Sequence, residues 1–244
     1  MNQSYFKIVK NEPLTSTVYR MVLGGDTSAI IRAGQFINIK IDGLFLRRPI
    51  SVCDYDNKTI TILYKVVGKG TEALHRMEPA STLDILTGLG NGYDTTKSGN
   101  HPLLIGGGVG VPPMYRLAKN LLDEGKTPVV ILGFNTKDEA FYMEEFKQLG
   151  IEVLVATADG TLGTKGFVTD IVKGLSDYTY FYTCGPEPML KALSACTNTS
   201  GQLSFEERMG CGFGACMGCS CQTKYGNKRI CKEGPVLEKE EIIW

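Results

Sequence analysis

Five of the eight cysteines stand between positions 211 and 231, and their spacing constrains the chain more than any other feature. Cys211, Cys216 and Cys219 read C-x4-C-x2-C, and Cys231 follows after eleven intervening residues. In that spacing a glycine-rich loop wraps one side of a [2Fe–2S] cluster and a remote cysteine closes the other. Gly210, Gly212, Gly214 and Gly218 suit such a loop. Its backbone must adopt positive φ and turn its N–H groups toward sulfur. Two alternatives stay open. Structural zinc usually takes two C-x2-C-type pairs, whereas here one side is x4-x2 and the other single. A disulfide knot needs an oxidising compartment, to which nothing in the chain points. Cys221 reads as a non-ligand, because a Cys-x-Cys pair on one iron would strain the loop and four thiols are already supplied.

A chain of 244 residues suffices for two ordinary domains and a small appendage. Lys+Arg and Asp+Glu are both 26, so there is no basic excess of the kind a nucleic-acid partner leaves. The start, Met1 to Lys7, has no long apolar stretch of a signal peptide, and no run approaches the ~20 apolar residues of a membrane span. The expectation is a cytoplasmic protein, with no membrane and no nucleic acid among its partners. In that compartment clustered cysteines more often bind metal than pair.

Residues 1–98 read as all-β, with short runs at 5–10, 17–23, 35–41, 50–53 and 59–67 punctuated by Gly24-Gly25, Gly34 and Asp42-Gly43. This pattern predicts a small antiparallel barrel. Two stretches within it suit a bound diphosphate. Arg48, in Arg48-Pro49-Ile50-Ser51, offers a planar fork to phosphate. Gly70-Thr71 stands where a strand gives way to a short helix, whose free N–H groups can receive a pyrophosphate. Taken singly, each has a plainer reading: a strand-end surface arginine, and a turn with a threonine cap.

From His101 strands alternate with helices, which predicts a parallel sheet with ligands gathered at the strand C-termini. The apolar run 102–105 leads into Gly106-Gly107-Gly108-Val109-Gly110 and a helix with Met114, Leu117, Ala118, Leu121 and Leu122 on one face. A glycine-rich strand-to-helix turn admits a dinucleotide pyrophosphate, although this one is not G-x-G-x-x-G and equally suits a simple tight turn. Thr136-Lys-Asp-Glu139 reads as the capping box of a second helix. A last strand, 178–183, ends in Cys184-Gly185-Pro186. Cys184 has the plainer reading of a small buried residue, as do Cys53 and Cys196. His75 and His101 lack a partner at triad-like spacing and read as structural or exposed. The run Glu238-Lys239-Glu240-Glu241 reads as a solvated face. Trp244 reads as the cap of an apolar edge or as a subunit contact.

In this order the barrel, Arg48-Pro49-Ile50-Ser51, the Gly106–Pro113 turn and Cys184-Gly185-Pro186 resemble the ferredoxin–NAD(P)+ reductase superfamily. The segment Glu206-Glu207-Arg208-Met209-Gly210-Cys211 through Cys219, with Cys231-x-x-Gly234-Pro235-Val236, resembles the electron-transfer subunits of NAD-dependent, type B dihydroorotate dehydrogenases. The resemblance implies an FAD-binding barrel (1–98), a parallel-sheet NAD-binding domain (99–203) and a small C-terminal [2Fe–2S] domain (204–244). It implies FAD on Arg48, Pro49, Ile50, Ser51, Leu63, Tyr64, Lys65, Gly70 and Thr71. NAD(H) falls on Gly107, Gly108, Gly110, Cys184 and Gly185, and the cluster on Cys211, Cys216, Cys219 and Cys231. Ile50 stands where many of these reductases place a tyrosine over the flavin ring. No arginine pair follows the strand at 129–134, so NAD is expected over NADP. The chain offers no acid–base set for a dihydropyrimidine. The resemblance therefore implies an FMN-containing catalytic partner, in a heterotetramer of two of each subunit, with electrons passing from FMN through the cluster and FAD to NAD+ in pyrimidine biosynthesis. The alternatives are an NADH-dependent reductase serving an oxygenase, hydrogenase or sulfide dehydrogenase, and a zinc-binding module on an inactive dinucleotide fold.

Overall fold

A computed structural model describes residues 1–244. The five N-terminal runs each form a strand: β1 (Asn2–Pro13), β2 (Val18–Gly24), β3 (Phe36–Ile39), β4 (Arg48–Tyr55) and β5 (Thr59–Lys65). Helix α1 (Lys69–His75) and a sixth strand, β6 (Thr82–Leu89), follow. All pairings are antiparallel, and the order β1-β2-β5-β4-β3-β6 closes because β6 pairs back onto β1. Side chains alternate across each strand, so Phe6, Ile8, Met21, Leu23, Ile37, Ile39, Ile60, Ile62 and Ile85 fill the interior. The runs expected from the sequence do not include β6, where Asp84 interrupts the apolar residues Leu83, Ile85 and Leu86. Here Arg47 pairs with the Asp84 carboxylate at 2.9 Å, which lets a charged strand close the barrel.

The second unit is built on β7 (Pro102–Gly107), α2 (Pro112–Asp123), β8 (Val129–Phe134), α3 (Met143–Gln148), β9 (Glu152–Thr157), β10 (Thr164–Lys165), α4 (Val168–Val172), β11 (Tyr180–Cys184), α5 (Glu187–Cys196) and β12 (Gly201–Ser204). After the cysteine loop come a hairpin, β13 (Ser220–Thr223) with β14 (Gly226–Arg229), and then β15 (Val236–Glu238). The large sheet runs β10-β9-β8-β7-β11-β12-β15. It is parallel except for β15, which pairs antiparallel to β12 and so ties the cysteine-rich segment into the sheet. Helix α2 is the joint with the barrel. Its Met114, Leu117, Ala118 and Leu121 are fully buried in one core that also holds Cys53 and Leu63 of the barrel. Each such leucine contributes about 1.5–3 kcal/mol by leaving water. Around this contact Lys119 Nζ lies 2.8 Å from Asp54 Oδ2, and Arg116 donates to the Tyr55 carbonyl at 3.0 Å.

Two expectations change. Thr136–Glu139 does not cap an α-helix: Lys137–Glu139 is a single 3-10 turn, and Glu139 Oε2 instead accepts from Asn135 Nδ2 at 2.9 Å. Helix α3 begins only at Met143, after Tyr142 turns the chain with φ 66°. The 238–241 charge run is not a solvated face. Glu238 receives Lys97 at 2.6 Å, Gln202 at 2.7 Å and Tyr180 at 3.0 Å. Glu241 is only 4% exposed and pairs with Lys228. A 3-10 turn presents successive residues to different sides, so two carboxylates are drawn inward to cations and donors from elsewhere in the chain. No helix is long and apolar enough to cross a membrane.

Candidate functional site

The cysteine loop is a cradle of amides around sulfur. The N–H groups of Ala215, Cys216 and Phe213 point at Cys211 Sγ from 3.2, 3.4 and 3.5 Å. Cys211 N–H points at Cys216 Sγ from 3.4 Å, and Cys231 N–H at Cys219 Sγ from 3.4 Å. The sulfurs thus fall into two pairs, Cys211 with Cys216 and Cys219 with Cys231. Such pairs could hold the two irons of a [2Fe–2S] cluster, whose usual ligands are cysteine thiolates. No disulfide joins any of the eight cysteines. Gly212 adopts φ 80° with its Cα against Asn38, a position closed to any side chain.

The electrostatics follow the same division. Burial pushes the Cys211 thiol up, but the amides of Phe213, Cys216 and Ala215 outweigh it and hold the group down at about 6. Burial, reinforced by Cys219, pushes Cys231 up to about 12. A metal centre must therefore displace a proton at Cys231, while Cys211 is already close to thiolate at neutral pH. Cys219 and Cys231 are buried, and Cys216 is exposed. Cys221 lies on β13, packs against the neighbouring core and makes no hydrogen bond to another cysteine.

The loop hangs directly on the barrel. Asn38, 1% exposed in the middle of β3, donates from Nδ2 to the Cys211 carbonyl at 3.2 Å. Across the β3–β4 ladder Asn38 faces Pro49, Ile37 faces Ile50 and Ile39 faces Arg48. One strand therefore separates the first cysteine from the segment expected to hold FAD. A second tie comes from Asn91. Its Nδ2 donates to the carbonyls of Val236 at 2.7 Å and Glu233 at 3.0 Å, and its Oδ1 accepts from Val236 N–H at 3.1 Å. The fold brings both asparagines to the site, and no motif announced them. A lone polar residue in the otherwise apolar Phe36-Ile-Asn-Ile39 was the available signal.

Several of the expected FAD residues meet. Arg48 opens β4, and its guanidinium lies directly against Gly70 of α1. Thr71 Oγ1 accepts from the N–H groups of Val67 at 3.0 Å and Gly68 at 3.3 Å, holding that turn open toward Arg48. Ser51 continues the same strand, and Ile50 packs against the barrel interior. Leu63 faces the core shared with α2. Tyr64 points the other way, into the barrel, where its hydroxyl donates to Asn11 Oδ1 at 2.9 Å. Only its backbone is left for a ligand.

The glycine-rich turn is equally compact. Gly107 ends β7, and Gly108–Gly110 form a 3-10 turn before α2. Gly106 faces Cys184 across the β7–β11 ladder. Gly110 lies against the Cys184 carbonyl and the Gly185 amide so closely that a Cβ has no room. Burial pushes the Cys184 thiol up to about 12, so it acts here as a neutral group. Turn and cysteine share one rim, at the C-terminal ends of the parallel strands. The histidines lie apart from it: His75 sits beside Glu72, and His101 beside Thr127. Trp244 caps an apolar edge, donating to Ser194 Oγ at 3.0 Å and packing on Phe205.

Residues 206–243 match the family profile described as the iron–sulfur cluster binding domain of dihydroorotate dehydrogenase B. Residues 104–195 match that of the oxidoreductase NAD-binding domain. Among similar proteins, the dihydroorotate dehydrogenase B (NAD(+)) electron transfer subunit of Geobacillus sp. (strain WCH70) is 40% identical over 256 residues, covering 100% of this chain and 99% of that protein. The same subunit of Fusobacterium nucleatum is 43% identical over 96% of each chain. That of Listeria monocytogenes is 41% identical over 99% of each. Among solved structures, an NADH-dependent reduced ferredoxin–NADP oxidoreductase, studied for flavin-based electron bifurcation, superposes with a TM-score of 0.90 at 29% identity, covering 99% of this chain and 90% of that one. A ferredoxin–NADP+ reductase from Neisseria gonorrhoeae with bound FAD and NADP superposes at 0.69 and 17% identity over 79% and 89%, a likeness of fold.

Proposed function

The chain belongs to the family of electron-transfer subunits of NAD(+)-dependent dihydroorotate dehydrogenase B, and from that membership we propose how its parts serve the activity. It is an oxidoreductase subunit that uses FAD, an iron–sulfur centre and NAD. We assign the three segments 1–98, 99–203 and 204–244 to these groups in that order. Flavin chemistry joins two-electron hydride exchange with one-electron transfer, which no side chain of the protein supplies.

The protein's own residues bind and position. Arg48, set against Gly70, offers its fork to a diphosphate, and Pro49, Ile50, Ser51, Leu63, Lys65 and the backbone of Tyr64 line the ring side. Thr71 keeps the α1 turn in shape. Gly107, Gly108 and Gly110 let a second pyrophosphate approach the backbone, and Cys184 with Gly185 closes the rim as an uncharged surface for a nicotinamide. Cys211, Cys216, Cys219 and Cys231 ligate a diiron centre in two pairs. Asn38 fixes the distance between that centre and the flavin strand. No arginine pair follows β8 to clamp the 2′-phosphate of NADP, and Lys137 is the cation in that turn. The single observation that carries the reading is the bond from Asn38, on the strand paired with Pro49, to the carbonyl of Cys211.

The reading also assigns a dihydroorotate-oxidising, FMN-bearing partner, in a cytoplasmic assembly of two of each subunit. It docks over the outer side of the cysteine loop, where Cys216 is exposed and flanked by the exposed apolar side chains of Phe213 and Met217. Reconstitution tests it: the pair of subunits should form orotate with NAD+ as sole acceptor. Full dihydroorotate:NAD+ activity in this chain alone would remove the need for a partner. The likeness to the NADH-dependent ferredoxin–NADP oxidoreductase favours one alternative, a reductase serving another acceptor. Copurification with an oxygenase, hydrogenase or sulfide dehydrogenase in place of an FMN protein would decide for it.

A further inference from the structure

Astride the last cysteine lies an ion pair that none of the binding roles above uses. Arg229 ends β14, two residues before Cys231, and Glu233 follows that cysteine by two. The Arg229 side chain grips Glu233 in a fork: Nε donates to Oε2 at 2.9 Å and Nη2 pairs with Oε1. Its remaining arm, Nη1, donates to the Gly214 carbonyl at 2.7 Å, at the tip of the loop between Cys211 and Cys216. Glu233 Oε2 also accepts the Arg229 backbone N–H at 2.8 Å. The cation is thus held in one place, spanning both halves of the cysteine site, with the Cys219 and Cys231 sulfurs within its electrostatic reach. The pair is only partly covered, with 25% and 35% of the two side chains exposed.

A fixed charge beside a centre that gains one negative charge on reduction shifts that equilibrium. A cation favours the reduced state, and an anion opposes it. We propose that Arg229 and Glu233 set the reduction potential of the iron–sulfur centre, Arg229 raising it and Glu233 limiting the rise. Arg229 is also a positioning residue, since its bond to Gly214 holds the outer loop against the Cys231 turn. Lys232, packed against Gly214, adds a second and more exposed cation on the same side. The inference rests on the cysteine assignment made above.

The test is an EPR-monitored redox titration of the full chain loaded with FAD and its iron–sulfur centre. It compares the parent with Arg229→Gln, Arg229→Lys, Glu233→Gln and the double Arg229→Gln/Glu233→Gln. Arg229→Gln should lower the reduced-to-oxidised ratio at fixed potential about tenfold, a fall of about 59 mV for one electron. Glu233→Gln should raise the potential, Arg229→Lys should keep it near the parent value, and the double variant should fall between the two single neutralisations. All these shifts should shrink in 1 M salt. A purely structural role would move both single neutralisations the same way, or reduce iron content without moving the potential, and either result overturns the proposal. Where Arg229→Gln fails to hold iron, the sign of the Glu233→Gln shift decides. If the parent itself takes up no iron, the cysteine assignment fails along with the inference.

Discussion

Replacing Asn91 with alanine should loosen the cysteine-rich segment from the barrel without touching a ligand. The Asn91 side chain makes three hydrogen bonds to the Glu233–Val236 turn, at 2.7, 3.0 and 3.1 Å, while its backbone N–H bond to the Gly234 carbonyl is untouched by the change. Each is worth about 0.5–1.5 kcal/mol net, and two carbonyls and an amide lose their partner together. The site is half-buried, so water replaces part of the loss, and about 2–4 kcal/mol is the expected cost of docking. At 1.4 kcal/mol per tenfold, the open form of the turn rises roughly 30- to 700-fold in population. Hydrogen exchange read by mass spectrometry reports this directly. Amides of residues 229–236 should exchange faster by that factor, while β2 and β5 on the far side of the barrel stay as they were. Exchange within twofold of the parent across 229–236 would refute the claim that Asn91 holds the segment in place.

In the metal-free chain, Cys211 should react with iodoacetamide at a rate that climbs with pH through about 6 and levels off above it. The sign follows from a thiol held below its usual range, which is thiolate above that pH. Cys231, pushed up to about 12, should stay unmodified at neutral pH, as peptide mapping would reveal. A Cys211 midpoint near that of a free thiol would mean the loop amides do not point at sulfur. Arg48→Ala should weaken FAD binding about 10- to 150-fold, the loss of one charge-assisted hydrogen bond of about 1.5–3 kcal/mol, as followed by flavin fluorescence on titration. An unchanged affinity would remove Arg48 from the phosphate site.

Much of this architecture was legible in the residues because its signals are local. C-x4-C-x2-C is a spacing along one loop, and Gly107 to Gly110 is one turn. Cys184 marks the end of a single strand. Each survives reading without knowledge of what it packs against. The contacts that join the units are not local. Asn38 reaches Cys211 across 173 positions, and Asn91 reaches Val236 across 145. Nothing in the composition of either neighbourhood points to the other. The 238–241 run misled for the same reason: charge alone suggests solvent, and only the fold supplies Lys97, Gln202 and Lys228 as partners. Tyr64 sits within a motif of the expected FAD segment, yet strand alternation turns its ring into the barrel.

The most direct test of the account is an EPR spectrum of the full chain, reconstituted with iron, sulfide and FAD and then reduced by NADH. The arrangement predicts one S = 1/2 iron–sulfur signal per chain, with two irons by metal analysis, appearing with NADH only when FAD is bound. An NADH-reduced signal without flavin, a colourless zinc-loaded chain, or an iron signal that persists when Cys211 and Cys216 are both serine would contradict it.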